Sequence, residues 1–333
     1  MTKTFIIAEA GVNHNGDINL AYKLCDAAKY AGVDAIKFQT WKTEKIVTKQ
    51  ASMADYQKEN TQKEQSQFDM LKALELSYSE FVEIKKYCDK IGLIFLSTGD
   101  TPEDIDFLNT LDIPLIKLGS GDITNIPFLR YIGSCKKPII LSTGMSYLSQ
   151  VEKAYYTLLE SGAPTVAILH CTTNYPCPMN EVNLKAMQTL KEAFKCQVGY
   201  SDHTMGIEVP IAAVAMGAEI IEKHFTIDRN LDGPDHKASL EPQELKAMVQ
   251  AIRNIENALG DGIKQPNQSE KNIAKVVLKT IVAACPISKG ERMTADMLTV
   301  KRVGTGISAE NWDLIVNTPA FKDYKIDEPI LLY

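Results

Sequence analysis

The 333-residue chain has no Cys-x-x-Cys pair, and its 7 cysteines, at positions 25, 88, 135, 171, 177, 196 and 285, are odd in number and scattered. Neither a disulfide framework nor a zinc ribbon is indicated. A basic run is also missing: 36 Lys+Arg stand against 42 Asp+Glu, for a formal net charge of −6, which argues against a nucleic-acid-binding face. No apolar stretch approaches the ~20 residues needed to span a bilayer. The opening MTKTFIIAEAG lacks the charged, long apolar and small-residue regions of a signal peptide. The expected setting is therefore the cytoplasm, with no membrane and no nucleic acid as partner. Histidine is scarce, at 5 residues, which makes the position of each one informative. What is plentiful is ordinary globular material, 45% hydrophobic and 23% charged over a length that suits one large domain and one small one.

Short apolar runs ending in polar residues or glycine recur along the chain: FIIAEAG (5–11), AIKFQT (35–40), LIFLSTG (93–99), LIKLGSG (115–121), PIILSTG (138–144), TVAILHCT (165–172), QVGYSDH (197–203) and EIIEKHFT (219–226). Segments of helical periodicity separate them, and PQELKAMVQAIRNIENALG follows the last. Continuous apolar strands alternating with helices mark a buried parallel sheet, and eight such units have the size of a (β/α)8 TIM barrel. The pattern breaks after Gly260: DGIKQPNQSEKN reads as a linker, and short strand-like runs with turns follow it. The expected organisation is an α/β barrel over 1–260, a linker over 261–276 and a small β-rich domain over 277–333. One long polar insertion, 42–66, follows the second strand, a length that usually carries function.

In such barrels the site lies at the carboxyl ends of the strands. His203 and His224 end the seventh and eighth runs, which are neighbours, so they can share a ligand. Alternation along a strand turns Ser201, His203, Glu222 and His224 one way and Asp202 the other. A single histidine there would read as a hydrogen-bonded core residue. Two on adjacent strand ends with carboxylates nearby suit a borderline divalent ion such as Mn²⁺, Co²⁺ or Zn²⁺. The same address collects Glu9, Lys37, Gln39, Thr98, Lys117, Ser120, Asp122, Ser142, Thr143, Thr172, Asn174 and Tyr175. Two strand lysines with hydroxyls beside glycine turns make an anion site for phosphate or carboxylate.

AEAGVNHNG, AIKFQT, LIKLGSGDITN, PIILSTGM, LHCTTNYP, GYSDHT and EKHFTIDRNLDGPDHKASLEP together resemble the bacterial sialic acid and legionaminic acid synthases, which carry an antifreeze-like (SAF) domain at the carboxyl end. The resemblance covers nearly the whole chain and keeps the family's order. It implies condensation of phosphoenolpyruvate with an N-acetylated mannosamine-type sugar to a nine-carbon 2-keto acid and phosphate. It assigns a divalent metal, Mn²⁺ first with Mg²⁺ or Co²⁺ as alternatives, to His203 and His224. Phosphoenolpyruvate falls on Lys37, Thr98, Lys117, Ser120, Ser142, Ser201 and Asn174, with Thr173 as the alternative to Asn174. The sugar falls on Glu9, Gln39, Asp122, Tyr175, Asp235 and Arg302, and Glu9 joins the histidines as a catalytic residue. The resemblance further implies a domain-swapped homodimer in which Arg302 reaches a partner's barrel. Wording such as AEAGVNHNG and GDGIK leans toward N,N'-diacetyllegionaminate, with N-acetylneuraminate as the alternative product. Rival readings are a metal-free aldolase working through a lysine imine and a non-catalytic sugar-binding protein.

Overall fold

The computed structural model describes residues 3–61 and 65–331. Residues 62–64 of the insertion lie outside the described residues. Eight parallel strands close into a barrel in chain order: β1 (Phe5–Gly11), β2 (Ala35–Thr40), β3 (Ile94–Gly99), β4 (Ile116–Leu118), β5 (Ile139–Ser142), β6 (Val166–His170), β7 (Val198–Asp202) and β8 (Ile220–His224). These are the runs read from the sequence, β1 and β2 unchanged and the other six shortened by a residue or a few at their ends. Helices fill the intervals, and their edges follow local chemistry. The helix Tyr78–Ile91 begins in a Ser77/Glu80 capping box and ends on Gly92 in the left-handed region.

Two apolar layers hold the barrel. The larger lies between sheet and helices and includes Leu24, Phe38, Phe81, Ile84, Phe95, Leu129, Leu158, Tyr200 and Met248, each such burial being worth roughly 1.5–3 kcal/mol for a Leu- or Phe-sized side chain. The smaller fills the barrel interior with Ile7, Ala35, Leu96, Ile140, Ala167, Leu169 and Ile220. Gly199 is required where β7 meets β8, since a Cβ there would fall 2.1 Å from the Ile220 carbonyl oxygen. One pleat further toward the carboxyl ends, the inward residues change from aliphatic to ionised. Glu9 stands opposite both Lys37 and His224, Thr98 opposite Lys117, and Ser201 opposite Glu222.

The chain divides into two compact units, Met1–Gly260 and Asp261–Tyr333. In the second, β9 (Thr280–Ala283) and β10 (Leu298–Lys301) pair antiparallel over a core of Ile281, Ile287, Met293, Leu298, Ile315, Tyr324 and Ile330. The stretch expected as a linker departs from that reading: Gln268–Val277 is an α-helix, started by the Asn267 N–H donating to Glu270 at 2.8 Å. Its Gly and Pro signals lie only before the helix. The 42–66 insertion likewise contains short helices, Thr43–Ile46 and Asp55–Thr61. Val12, Trp41, Met53, Met70 and Leu74 form a small core of their own beside it. Among the described residues no helix is long and apolar enough to cross a membrane.

Candidate active site

A cavity of about 140 Å³ opens at the carboxyl end of the barrel, lined by residues of every strand but β6, which contributes through Cys171 just past its end. Lys37 and Lys117 enter it almost fully buried, 3% and 2% exposed. Lys37 Nζ lies 2.8 Å from Glu9 Oε2, donates to Thr98 Oγ1 at 3.1 Å and is 3.7 Å from Glu222 Oε2. Lys117 Nζ donates to Ser142 Oγ at 2.8 Å and to the Leu118 carbonyl at 3.1 Å, and lies 3.4 Å from Glu222 Oε1. Ser201 donates to that same Glu222 oxygen at 2.8 Å. Gln39 holds the other oxygen of Glu9 at 3.0 Å.

Glu222 is thus the carboxylate between the two lysines. Burial pushes its carboxyl up, but Lys117 and then Lys37 overcome this and hold it down at about 2. Burial likewise acts against the Lys37 ammonium, yet Glu222 and Glu9 raise it on balance above the ordinary lysine range. Lys117, less well compensated, is pushed down by burial. Glu9 is raised, chiefly by burial. The alternation rule already set Glu222 inward, but its role between the lysines depends on the closing of the barrel, which no local pattern shows.

The imidazoles stand side by side, ring centroids 5.3 Å apart, under Tyr175, whose ring lies 4.1 Å from His203 and 5.4 Å from His224. Tyr175 in turn packs at 5.0 Å on Tyr56 of the insertion. His203 Nδ1 donates to the Thr172 carbonyl at 2.7 Å, which leaves Nε2 as the lone-pair nitrogen. His224 Nδ1 is buried without a hydrogen-bond partner, with Asp235 Oδ2 at 3.9 Å. Burial keeps both rings neutral by lowering their pKa values, His224 further because His203 is beside it. Neutral, buried imidazoles with unused nitrogens fit a divalent ion. Among the described residues no group of three or more His, Cys, Asp or Glu is arranged to hold one, so such an ion would take its remaining ligands from water and substrate.

Ser120 also lines the cavity, accepting from the Gly144 N–H at 2.9 Å. Asn174 does not line it: its N–H donates to the Thr172 carbonyl in the loop after β6. Thr173 is not in the lining either, but its Oγ1 turns toward Gly144, where an added Cβ would fall 2.0 Å from it and 2.9 Å from Ser120 Oγ, and that Oγ1 is buried without a partner. Asp122 sits just outside the lining in the turn after β4, accepting from Asn125 Nδ2 at 3.1 Å. Asp235 is buried, with its carboxyl pushed up to about 7 by burial and then by Glu9. Arg302 belongs to the second unit, exposed after β10. Sequence reasoning missed Asp100 and Cys171 as lining residues. Each lies one residue past a strand end, the only signal that could have found it. A larger cavity, about 360 Å³, lies between the helices Leu148–Glu160 and Lys185–Phe194, but no carboxylate lines it and Lys185 is exposed.

The pattern of the NeuB family matches residues 24–264, and that of the SAF domain residues 279–332. The chain belongs to the NeuB family. As a member it is an enzyme, a transferase that condenses phosphoenolpyruvate with a sugar. It is 50% identical over 332 residues, 99% of each chain, to the N,N'-diacetyllegionaminic acid synthase of Campylobacter jejuni. It is 46% identical over 318 residues, 94% of this chain and 89% of the other, to the N,N'-diacetyllegionaminic acid synthase of Legionella pneumophila. Among solved structures it is similar to the N-acetylneuraminic acid synthetase of Leptospira borgpetersenii in complex with citrate, with a TM-score of 0.73 and 36% identity over 82% of this chain and 91% of that one.

Proposed function

We propose that this NeuB-family synthase joins phosphoenolpyruvate to 2,4-diacetamido-2,4,6-trideoxymannose, giving N,N'-diacetyllegionaminate and phosphate, and that it does so with a divalent metal, Mn²⁺ by preference. The observation that carries the reaction is the convergence of Lys37 and Lys117 with Thr98, Ser142, Ser201 and Ser120 beside two neutral imidazoles. The sugar assignment is supported by the two legionaminic relatives at 50% and 46% identity; N-acetylmannosamine is the second acceptor to be tested.

The residues divide the work as follows. Lys37 and Lys117 bind the anionic groups of phosphoenolpyruvate, with the hydroxyls of Thr98, Ser120, Ser142 and Ser201 beside them. His203 and His224 would hold the metal, which supplies Lewis-acid polarisation of the acceptor's open-chain aldehyde. Carbon 3 of phosphoenolpyruvate bonds to that aldehyde carbon, a water oxygen bonds to carbon 2, and the carbon–oxygen bond to phosphate then breaks. Glu9, raised by burial and aimed by Gln39, takes or returns the proton at the sugar hydroxyl or the attacking water. Tyr175 and Asp235 border the sugar. The enzyme acts as a homodimer in which the exposed Arg302 completes the sugar site of a partner.

One observation favours lysine imine chemistry instead: Lys117 is pushed below the ordinary lysine range. Against it, Ser142, Leu118 and Glu222 surround its nitrogen with three acceptors, which suits an ammonium rather than a free amine. Mass spectrometry of products from phosphoenolpyruvate and each acceptor tests the proposal. EDTA should stop phosphate release and Mn²⁺ restore it. Activity that survives chelation, together with a borohydride-trapped pyruvate adduct on Lys117, would replace the metal reading with the imine one.

A further inference from the structure

Asp100 is a cavity-lining carboxyl without a partner. Glu9 accepts from Gln39 and pairs with Lys37, and Glu222 accepts from Ser201, whereas Asp100 accepts no hydrogen bond from the described residues. Its place is rigidly set. β3 ends at Gly99, where an added Cβ would meet Ile105 Cδ1 at 3.0 Å and Asp104 Cβ at 3.2 Å, so the helix Pro102–Thr110 packs directly on the strand end. Thr101 caps that helix by accepting from the Asp104 N–H and donates its own hydroxyl to Asp104 at 2.6 Å, while Tyr78 donates to the other oxygen of Asp104 at 2.7 Å. Asp100 is therefore fixed between a strand end and a capped helix, and it lines the cavity together with Thr98, Gly119 and Ser120.

The charge around it is acidic. Burial first, then Asp122 and Asp104, push its carboxyl up to about 7, and Lys37 alone among the facing groups opposes them. Ionised phosphoenolpyruvate has no N–H or O–H to donate to a carboxylate, so it cannot supply the partner that Asp100 lacks. A clamped, unpartnered acceptor needs a hydrogen-bond donor opposite it, and the substrate rich in N–H and O–H donors is the sugar.

We infer that Asp100 determines specificity for the acceptor sugar by accepting a hydrogen bond from an amide N–H or hydroxyl on it. The inference rests on the synthase reading of the cavity. Steady-state kinetics of the wild type, Asp100→Ala and Asp100→Asn test it with N-acetylmannosamine and 2,4-diacetamido-2,4,6-trideoxymannose as acceptors. Asp100→Ala should raise the acceptor KM about ten- to hundredfold, the worth of a hydrogen bond to a charged group, with the phosphoenolpyruvate KM within about twofold. Asp100→Asn keeps a carbonyl oxygen and should recover most of the loss. A loss confined to one sugar places the donor at carbon 4 or carbon 6, where the two acceptors differ, and an equal loss places it on a group they share. In the wild type the acceptor KM should fall as pH rises through about 7, because the ionised carboxylate is the better acceptor, and Asp100→Asn should lessen that dependence, leaving the part contributed by Asp235, which burial also raises to about 7. Two results overturn the inference: a phosphoenolpyruvate KM that moves as much as the sugar's, or an Asp100→Asn enzyme no better than Asp100→Ala while both melt like the wild type. Absence of any condensation by the wild type with either sugar is a different failure, that of the synthase reading.

Discussion

Two buried sets of lysines and carboxylates meet back to back at β7 and β8, the inward one taking its lysines from β2 and β4, and they have opposite characters. On the inward face Ser201 and Glu222 are opposite each other; one residue further, on the outward face, Asp202 is opposite Lys223. The outward pair is closed. Lys223 Nζ reaches Asp202 Oδ2 and the Thr204 carbonyl at 2.5 Å each, and the Thr204 N–H and hydroxyl donate to Asp202 at 3.0 and 2.9 Å. The inward set borders a cavity and leaves Glu222 Oε2 and His224 Nδ1 without hydrogen-bond partners. The same residue types serve structure where every lone pair is used, and binding where some are kept open. Burial alone does not separate the two cases; satisfaction of the polar atoms does.

If that comparison is right, the largest effect comes from removing an open group. His203→Ala and His224→Ala should each lower synthesis by about a thousandfold or more, since Lewis-acid assistance is worth several kcal/mol and each 1.4 kcal/mol is tenfold. Thermal midpoints should stay within a few degrees of the wild type, because neither ring is part of the apolar core. Phosphate release and circular dichroism on the purified variants measure both quantities. Near-normal turnover in either variant, or loss of the folded signal, would break the distinction.

Much of this was legible beforehand because a parallel barrel writes itself as repeated apolar runs with polar ends. FIIAEAG and EIIEKHFT already carry Glu9, Glu222 and His224 on one face by simple alternation. What local pattern cannot show is closure, which makes β1 and β8 neighbours and brings Glu9 opposite His224 across about 215 positions of sequence. It also cannot show which residue of a strand-end loop turns inward, and so the choice between Asn174 and Thr173 stayed open and Asp100 was passed over. The helix Gln268–Val277 was hidden by the Gly, Pro and Asn of the preceding DGIKQPNQ, although Asn267 and Glu270 spell its cap.

The outward pair supplies the intermediate effect. Lys223→Met leaves Asp202 buried with Thr204 as its remaining partner, and breaking a buried pair from one side costs about 3–5 kcal/mol. Replacing both, as in Asp202→Asn with Lys223→Met, should return a good part of that, because no uncompensated charge is left behind. Urea midpoints at pH 7.5 decide the point. A single variant within about 1 kcal/mol of the wild type would mean that this pair is no more structural than a surface one.

The smallest effect concerns histidines outside the cavity and sharpens the comparison through pH. His14 is fully buried, its Nδ1 accepting from the Gly16 N–H at 3.1 Å, and burial lowers its pKa to about 4 from an ordinary 6.5. Above pH 6.5 the ring is neutral whether the chain is folded or not, so it contributes no pH dependence there. As pH falls from 6.5 toward 4 the unfolded chain gains a proton that the folded chain refuses, and stability is lost, by about 2 kcal/mol at pH 5 for a single such group. Asp100 and Asp235, raised to about 7 by burial, act the other way, since the folded chain keeps their protons as pH falls. The raw stability curve therefore mixes opposing slopes, and the difference between the wild type and His14→Gln isolates the histidine. The stability advantage of the wild type over His14→Gln should shrink by about 2 kcal/mol between pH 7 and pH 5. A difference that stays constant across that range would show that His14 titrates alike in the folded and unfolded chain, and that its burial is not holding it neutral.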